Sequence, residues 1–275
     1  MEEAITVLRI STPFLLASLG ELIIERSGVL NLGIEGVMTL GALIAFLIMY
    51  FTGSSILSFL FSAIIGGLVG YILYLLLVRL GTSQHVTGLG FTLFLVSFSY
   101  FLYRIIFISP TTQPLVERVK SIYLVIFTFI LYATFGYVFH RTNIGLVMRA
   151  VGDNAKSVDR MGYDPITIRK ITLIVGNILI SLGGSYLSIA QYNSFLFNIV
   201  GGRGWISLAL VSMGNWEPLR ILIFGLIFGF IDMLQIRIQI WFPQLLFVYP
   251  LFLMLPYLVT ILLLCIATRT AKVPK

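Results

Sequence analysis

The amino-acid sequence predicts an all-α integral membrane protein, a polytopic bundle of about eight to ten transmembrane helices with a broken or re-entrant segment. Of its 275 residues, 59% are apolar and only 11% are charged, whereas soluble proteins carry roughly 25% charged residues. The apolar residues form long runs, and about 20 of them cross a bilayer as one helix. In the strands of a membrane barrel, apolar and polar residues instead alternate over about 10 residues. Helices are therefore the predicted spanning form.

The apolar runs divide residues 1–275 into one transmembrane domain without a separate soluble domain. The first run is interpreted as a retained helix, because no basic segment of the signal-peptide kind precedes it. Thr12-Pro13 and Asp164-Pro165 each place a capping residue before a proline, which predicts a helix start at both positions. The runs are predicted near residues 4–24, 36–51, 56–80, 86–107, 121–139, 166–190, 204–213, 219–236 and 246–267.

The longest hydrophilic segment, about residues 140–170, is predicted to be a cytoplasmic loop. It contains six basic residues: Arg141, Arg149, Lys156, Arg160, Arg169 and Lys170. Basic residues concentrate in cytoplasmic loops, and the basic tail after residue 267 is placed on the same side. The N-terminus is outside if all five preceding runs cross, and inside if one is re-entrant.

The concentration of basic residues in cytoplasmic loops also explains the net charge of +7. Nucleic-acid binding is therefore not predicted.

Several kinds of site are excluded by the residue inventory. Cys265 is the only cysteine, so neither an intrachain disulfide nor a cysteine metal cluster is predicted. His85 and His140 lack metal-ligand spacing. A phosphate-binding loop needs a second glycine directly before its Lys-Ser/Thr pair, but the nearest segment has Ala155 there. The chain is therefore predicted to have no ATPase site and no bound cofactor.

A short helix is predicted inside the cytoplasmic loop. Asp153 or Asn154 can cap its start, Ala155 to Met161 form about two turns, and Gly162 suits the left-handed residue that ends a helix. Such a helix is suited to docking on another protein. The alternative is a basic loop that only fixes topology.

A group of polar residues flanks the first two apolar runs. A charge at the bilayer centre costs about 2.5–3.5 kcal/mol on insertion scales, so these side chains need partners or water. Glu21 and Glu25 share one helical face, and Arg26 is predicted to pair with only one of them. Several glycines permit a broken helix beside a permeation path; a simple interfacial loop is the alternative. The group comprises Glu21, Glu25, Arg26, Asn31 and Glu35.

A third polar group surrounds the end of the sixth run. Amides and aromatic rings suit a polar solute that carries a ring, although Tyr and Trp are also common at any membrane interface. The group includes Tyr186, Tyr192, Asn193 and Arg203. Asn177, Gln191 and Trp205 are taken as candidates for the translocation path, together with the first polar group.

Several segments resemble one family of membrane transport proteins. They resemble permeases of ABC importers for branched-chain amino acids, ribose and nucleosides, and the nucleoside branch in particular. The similar segments are residues 12–36, the loop 145–162, residues 201–218, residues 232–235 and residues 255–258. The resemblance covers nearly the whole chain and implies the type II importer permease fold.

The resemblance implies a function and a set of partners. The chain would form half of a plasma-membrane pathway for nucleosides, with simple sugars or branched-chain amino acids as alternative solutes. Its partners would be a cytosolic ABC ATPase that uses ATP, a second permease in a heterodimer, and an extracytoplasmic solute-binding lipoprotein. A self-contained secondary transporter or channel is the alternative of a different class.

The loop that resembles the family's coupling segment is predicted to dock in a groove of the ATPase. Ala155, Val158 and Met161 are the predicted anchors on one side of the short helix. Lys156, Asp159 and Arg160 would form a polar rim. The residues assigned to coupling are Gly145, Arg149, Gly152, Asp153, Asn154, Ala155, Val158, Met161 and Gly162.

Overall fold

The structure is a computed structural model that describes residues 2–107, 114–117, 119, 121–241 and 254. The predicted run 246–267, the similar segment 255–258, Cys265 and the basic tail lie outside the described residues, apart from Met254. The helices of the described part are α1 (Glu2–Glu25), α2 (Ile34–Thr52), α3 (Ser55–Tyr74), α4 (Gln84–Ile106), α5 (Ser121–Arg141), α6 (Asn143–Arg160), α7 (Pro165–Tyr186), α8 (Arg203–Met213) and α9 (Pro218–Trp241). Single π-helical turns, Leu75–Arg79 and Leu187–Gln191, extend α3 and α7.

The predicted all-α membrane class is confirmed. Within the described residues, seven helices are long and apolar enough to cross a bilayer. The predicted crossing at 204–213 is instead the 11-residue helix α8, which spans about 16 Å, roughly half of a 30 Å hydrocarbon core. A second break, residues 26–33, separates α1 from α2. The chain is therefore a multi-pass membrane protein, interrupted at the segment where a broken helix was predicted and also at α8, where it was not.

Helix α7 lies at the centre of the bundle. In the most apolar 18-residue stretch of each helix, 83%, 78% and 78% of the residues are buried in α1, α2 and α7. The corresponding shares in α4 and α5 are only 17% and 22%. Glycines let neighbouring helices approach α7 closely: a Cβ on Gly20 of α1 would lie 2.4 Å from Gly176 O, and one on Gly66 of α3 would lie 2.6 Å from Asn177 O. The outer helices α4 and α5 therefore leave most of their apolar surface uncovered by the rest of the described chain.

Helix α1 runs antiparallel to α7. Gly183 lies against the carbonyl of Pro13, whereas Gly176 lies against Gly20, seven residues further along α1. Gly28, just after α1, contacts Gly152 of α6. The end of α1 therefore shares a face with the predicted cytoplasmic loop. This arrangement supports the alternative in which the start of α1 is extracytoplasmic.

One of the two predicted proline helix starts is wrong. Helix α1 continues through Thr12-Pro13, and the Thr12 hydroxyl donates to Leu8 O at 2.8 Å. Neighbouring helices and hydroxyl side chains make such a proline tolerable in a membrane helix. The start at Asp164-Pro165 is confirmed, because the Asp164 carboxylate accepts from Ile166 N at 2.9 Å. Bonds from Thr167 and Ile166 lower the Asp164 pKa below its usual value.

Candidate functional site

Three segments that are distant in sequence meet at the C-terminal end of α1, beside the loop that is predicted to be cytoplasmic. Residues 26–33 pack against α6 so closely that a Cβ on Gly152 would lie 2.4 Å from Arg26 O. Trp216, in the turn between α8 and α9, donates its indole N–H to the Glu25 carboxylate. Arg26 donates to Trp216 O from Nε at 3.1 Å and Nη2 at 2.8 Å. We call this contact region the junction.

An open cleft of about 390 Å³ lies within the junction. The cleft is lined by side chains from α1, α4, α6, α7 and the α8–α9 turn. It therefore exists only when the whole bundle is assembled. The polar and aromatic members are Glu25, Arg26, Gln84, Asp153, Arg169 and Trp216. We call this space the cytoplasmic cleft.

A chain of buried polar side chains leads inward from the cleft. Glu21 is fully buried, and its Oε1 accepts from Asn31 N at 3.1 Å. Asn31 Nδ2 donates to Asn177 Oδ1 at 3.3 Å. Asn177 lies about 18 Å along α7 from Pro165, close to the middle of the candidate membrane span Pro165–Gln191. The structure thus unites three path candidates that the sequence treated as two groups.

Of the two predicted partners, Arg26 interacts electrostatically with Glu25 and not with Glu21, but within the described part of the chain no ion pair of 4 Å or less joins it to either. Arg26 bonds Trp216 O instead, and its Nη2 lies 3.8 Å from Glu217 Oε1. The reason is positional: Arg26 follows the last turn of α1 and points to the α8–α9 turn. Burial lowers the pKa of Arg26, and the nearby Glu217 carboxylate opposes that effect.

Glu35 joins the starts of two helices inside the bundle. It lies in the first turn of α2, and its carboxylate accepts from Gly202 N and Gly204 N, both at 2.8 Å, at the start of α8. A carboxylate at a helix N-terminus is favourable because the unpaired N–H groups carry partial positive charge. Glu35 is therefore a cap between α2 and α8, a role that the sequence did not reveal.

The remaining path candidates lie away from the junction. Trp205 is half-buried in the first turn of α8. Gln191 ends the π-helical turn after α7, about 20 Å along the helix axis from Asn177. The Gln191 amide oxygen is buried and has no hydrogen-bond partner among the described residues.

We expect Glu35→Ala to destabilise the protein strongly. The alanine leaves the buried Gly204 N–H and the half-buried Gly202 N–H without acceptors, and an unpaired buried group costs about 1–3 kcal/mol. Glu35→Gln keeps one acceptor oxygen and should have an intermediate effect. Thermal unfolding of the purified variants and of the original protein measures this order of stability. Glu3→Ala is the control, because Glu3 is 66% exposed; equal melting of all variants would contradict the capping role.

The structure contains the predicted short helix as the second part of α6. The backbone kinks at Asn154, with φ −155° and ψ 90°, and Asn154 Oδ1 accepts from Ser157 N at 3.2 Å. Asn154 is thus the cap, whereas Asp153 lines the cleft. Gly162 ends the helix with φ +86° and donates to Asp159 O at 2.9 Å, as predicted.

The predicted set of docking anchors needs correction. Val158 is only 3% exposed and packs within the folded chain, whereas Met161 is 75% exposed. Val158 as an anchor for another protein is therefore wrong, because its side chain is already covered. Ala155 is half-buried, and Lys156 is exposed, like the other members of the predicted polar rim.

Gly145 and Arg149 attach the first part of α6 to α5. A Cβ on Gly145 would lie 2.4 Å from Val138 O. The Arg149 guanidinium lies 4.8 Å from the centroid of the Phe139 ring. These contacts, with Gly152 at the junction, hold the short helix against the membrane bundle.

A bundle of long apolar helices with two interrupted segments and a charged connecting helix is typical of multi-pass membrane transport proteins. Residues 4–264 match the model of the family described as branched-chain amino acid transport system / permease component, and the chain belongs to this family. It is accordingly an ABC-transporter permease of the plasma membrane, as the motifs predicted.

Comparison with curated proteins found permeases of ABC transporters. The chain is 33% identical to the putative glucose ABC transporter permease protein TsgC13 of Haloferax volcanii, over 83% of this chain and 75% of the relative. It is 28% identical to the nucleoside ABC transporter permease protein NupC of Lactococcus lactis, over 96% and 92%. It is 27% identical to the guanosine ABC transporter permease protein NupQ of Bacillus subtilis, over 96% and 91%. No solved structure matches.

Proposed function

We propose that this permease imports nucleosides and forms half of their pathway across the membrane. The supporting observation is the pair of relatives named for nucleoside and guanosine transport, each of which aligns with 96% of this chain and more than nine-tenths of its own length. Simple sugars are the second candidate, because the relative with 33% identity is named a putative glucose permease. Branched-chain amino acids, which appear in the family description, are the third.

We infer that ATP hydrolysis is performed by a separate cytosolic ABC ATPase. The absence of a phosphate-binding loop from the sequence supports this division, and the chain itself binds no cofactor. A second, non-identical permease completes the pathway, and an extracytoplasmic lipoprotein delivers the solute. Family membership supports partners of these kinds.

The junction provides a route by which ATPase movement reaches the membrane interior. The short helix of α6 contacts the ATPase, and the backbone contact between Gly152 and Arg26 passes its displacement to residues 26–33. Arg26 also holds Trp216, so the α8–α9 turn moves with the same group. Because Glu35 ties α2 to α8, a movement at the cytoplasmic face reaches the centre of the bundle.

Uptake by the complete complex tests the proposed solute. Vesicles with both permeases, the ATPase and the binding protein should accumulate labelled uridine or adenosine when ATP is supplied. Excess unlabelled nucleoside should reduce uptake, whereas ribose, glucose and leucine should not. Accumulation of leucine or a simple sugar that is insensitive to excess nucleoside would contradict the proposal.

A further inference from the structure

We propose that the cytoplasmic cleft binds the solute on its way to the cytosol and that it recognises a neutral molecule with sugar hydroxyls. The proposal rests on the nucleoside-import function above. The cleft volume of about 390 Å³ lies in the range of about 300–1,000 Å³ that is typical of small-molecule sites. The cleft also adjoins the kink before the short helix. A movement of the ATPase that displaces this helix would therefore change the shape of the cleft directly.

The charged groups of the cleft favour a neutral solute. Glu25 and Asp153 supply two carboxylates, and Arg26 and Arg169 supply two guanidinium groups. Because their formal charges cancel, the cleft as a whole attracts neither an anion nor a cation. A neutral solute with donors and acceptors can bind both kinds of group.

The hydrogen-bonding groups of the cleft match a nucleoside. Glu25 Oε1 is buried and has no partner among the described residues, and a carboxylate of this kind accepts from ribose hydroxyls in dinucleotide sites. Gln84 Oε1 already accepts from Leu30 N at 2.8 Å, so its amide group offers donors to a base. Trp216 contributes an aromatic surface on which a base can stack.

The position of the cleft fits a release site. The buried chain of Glu21, Asn31 and Asn177 connects Glu25 with the middle of the bilayer. Within the described residues, Glu21 Oε2 also has no hydrogen-bond partner. Glu21, Asn31 and Asn177 are themselves fully buried, so they form a polar inner wall behind the cleft, and a solute in the cleft would bring hydroxyl donors to Glu25 at its edge.

Cysteine protection in the complete complex tests the site. The background is Cys265→Ser, and Leu30→Cys places a reporter in the cleft. Adenosine, added to nanodisc-embedded complex without binding protein or nucleotide, should slow maleimide labelling in a saturable manner. Adenosine monophosphate and leucine should not slow it at the same concentrations.

Two isosteric variants identify the recognising groups. In the reporter background, Glu25→Gln and Asp153→Asn should each raise the adenosine concentration for half-protection about tenfold, because hydrogen bonds to charged groups are the stronger ones. Glu117→Gln is the matched control and should have no effect, since Glu117 is exposed and its neighbour Val116 bonds Asn193 O, beyond the end of α7 that is remote from the cleft.

The result can separate this proposal from the proposed function. If the complex imports nucleosides but adenosine leaves Leu30→Cys labelling unchanged, the cleft is not a solute site and the import function stands. Equal protection by adenosine monophosphate would also overturn the proposal, as would unchanged protection in both acidic variants. Absence of nucleoside uptake would overturn the import function itself.

Discussion

Met161→Asp is expected to abolish both ATPase association and uptake. Met161 is 75% exposed at the end of the short cytoplasmic helix, so the folded permease does not depend on its side chain. In a docked complex, an aspartate there would be an unpaired buried carboxylate, which costs several kcal/mol if it stays ionised. Every 1.4 kcal/mol is about a tenfold change in affinity. Co-purification of the ATPase and uptake in vesicles are the measurements.

Two further variants make this test specific. Met161→Leu keeps an apolar side chain of similar volume and should retain ATPase binding. Val158→Asp should instead destabilise the permease, because Val158 is buried within its own chain. The permease alone, which is expected to show no ATP hydrolysis, provides the baseline. Normal recruitment of the ATPase by Met161→Asp would show that this end of the helix is not the docking surface.

Gly184→Ala is expected to prevent correct packing of the central helices. A Cβ at this position would lie 1.9 Å from Met38 O, so α2 and α7 would have to separate. The contact is with backbone, which no side-chain rotation relieves, and overpacking costs typically about 1–3 kcal/mol and occasionally more. We expect a large loss of monodisperse protein in size-exclusion chromatography and a lower Tm for the remainder.

Gly136→Ala is the matched control for that substitution. Gly136 lies inside α5, and a Cβ there would have no atom within 4 Å among the described residues. Alanine is favoured over glycine in a helix by roughly 0.5–1 kcal/mol, so this variant should express and melt at least as well as the original protein. Similar behaviour of the two variants would refute the close contact between α2 and α7.

The sequence by itself determined the protein class and the local ends of the short helix. Apolar run length and the distribution of basic residues act within single segments, so the all-α membrane class followed without a structure. Gly162 and Asp164-Pro165 also behave as predicted, because a capping residue bonds backbone groups only two or three positions away. Asn154 was one of two residues offered as the cap, and the backbone kink decided between them.

The tertiary structure alone decided which polar groups are partners. Glu35 caps α8, Arg26 binds the carbonyl of Trp216, and Asn31 reaches Asn177; each pair joins residues more than 140 positions apart. Such pairs depend on the antiparallel packing of helices, which hydrophobic runs do not encode because every run is apolar on nearly all sides. Val158 was misassigned for the same reason: helical spacing predicts which residues share a face, but only the assembled bundle decides what covers that face.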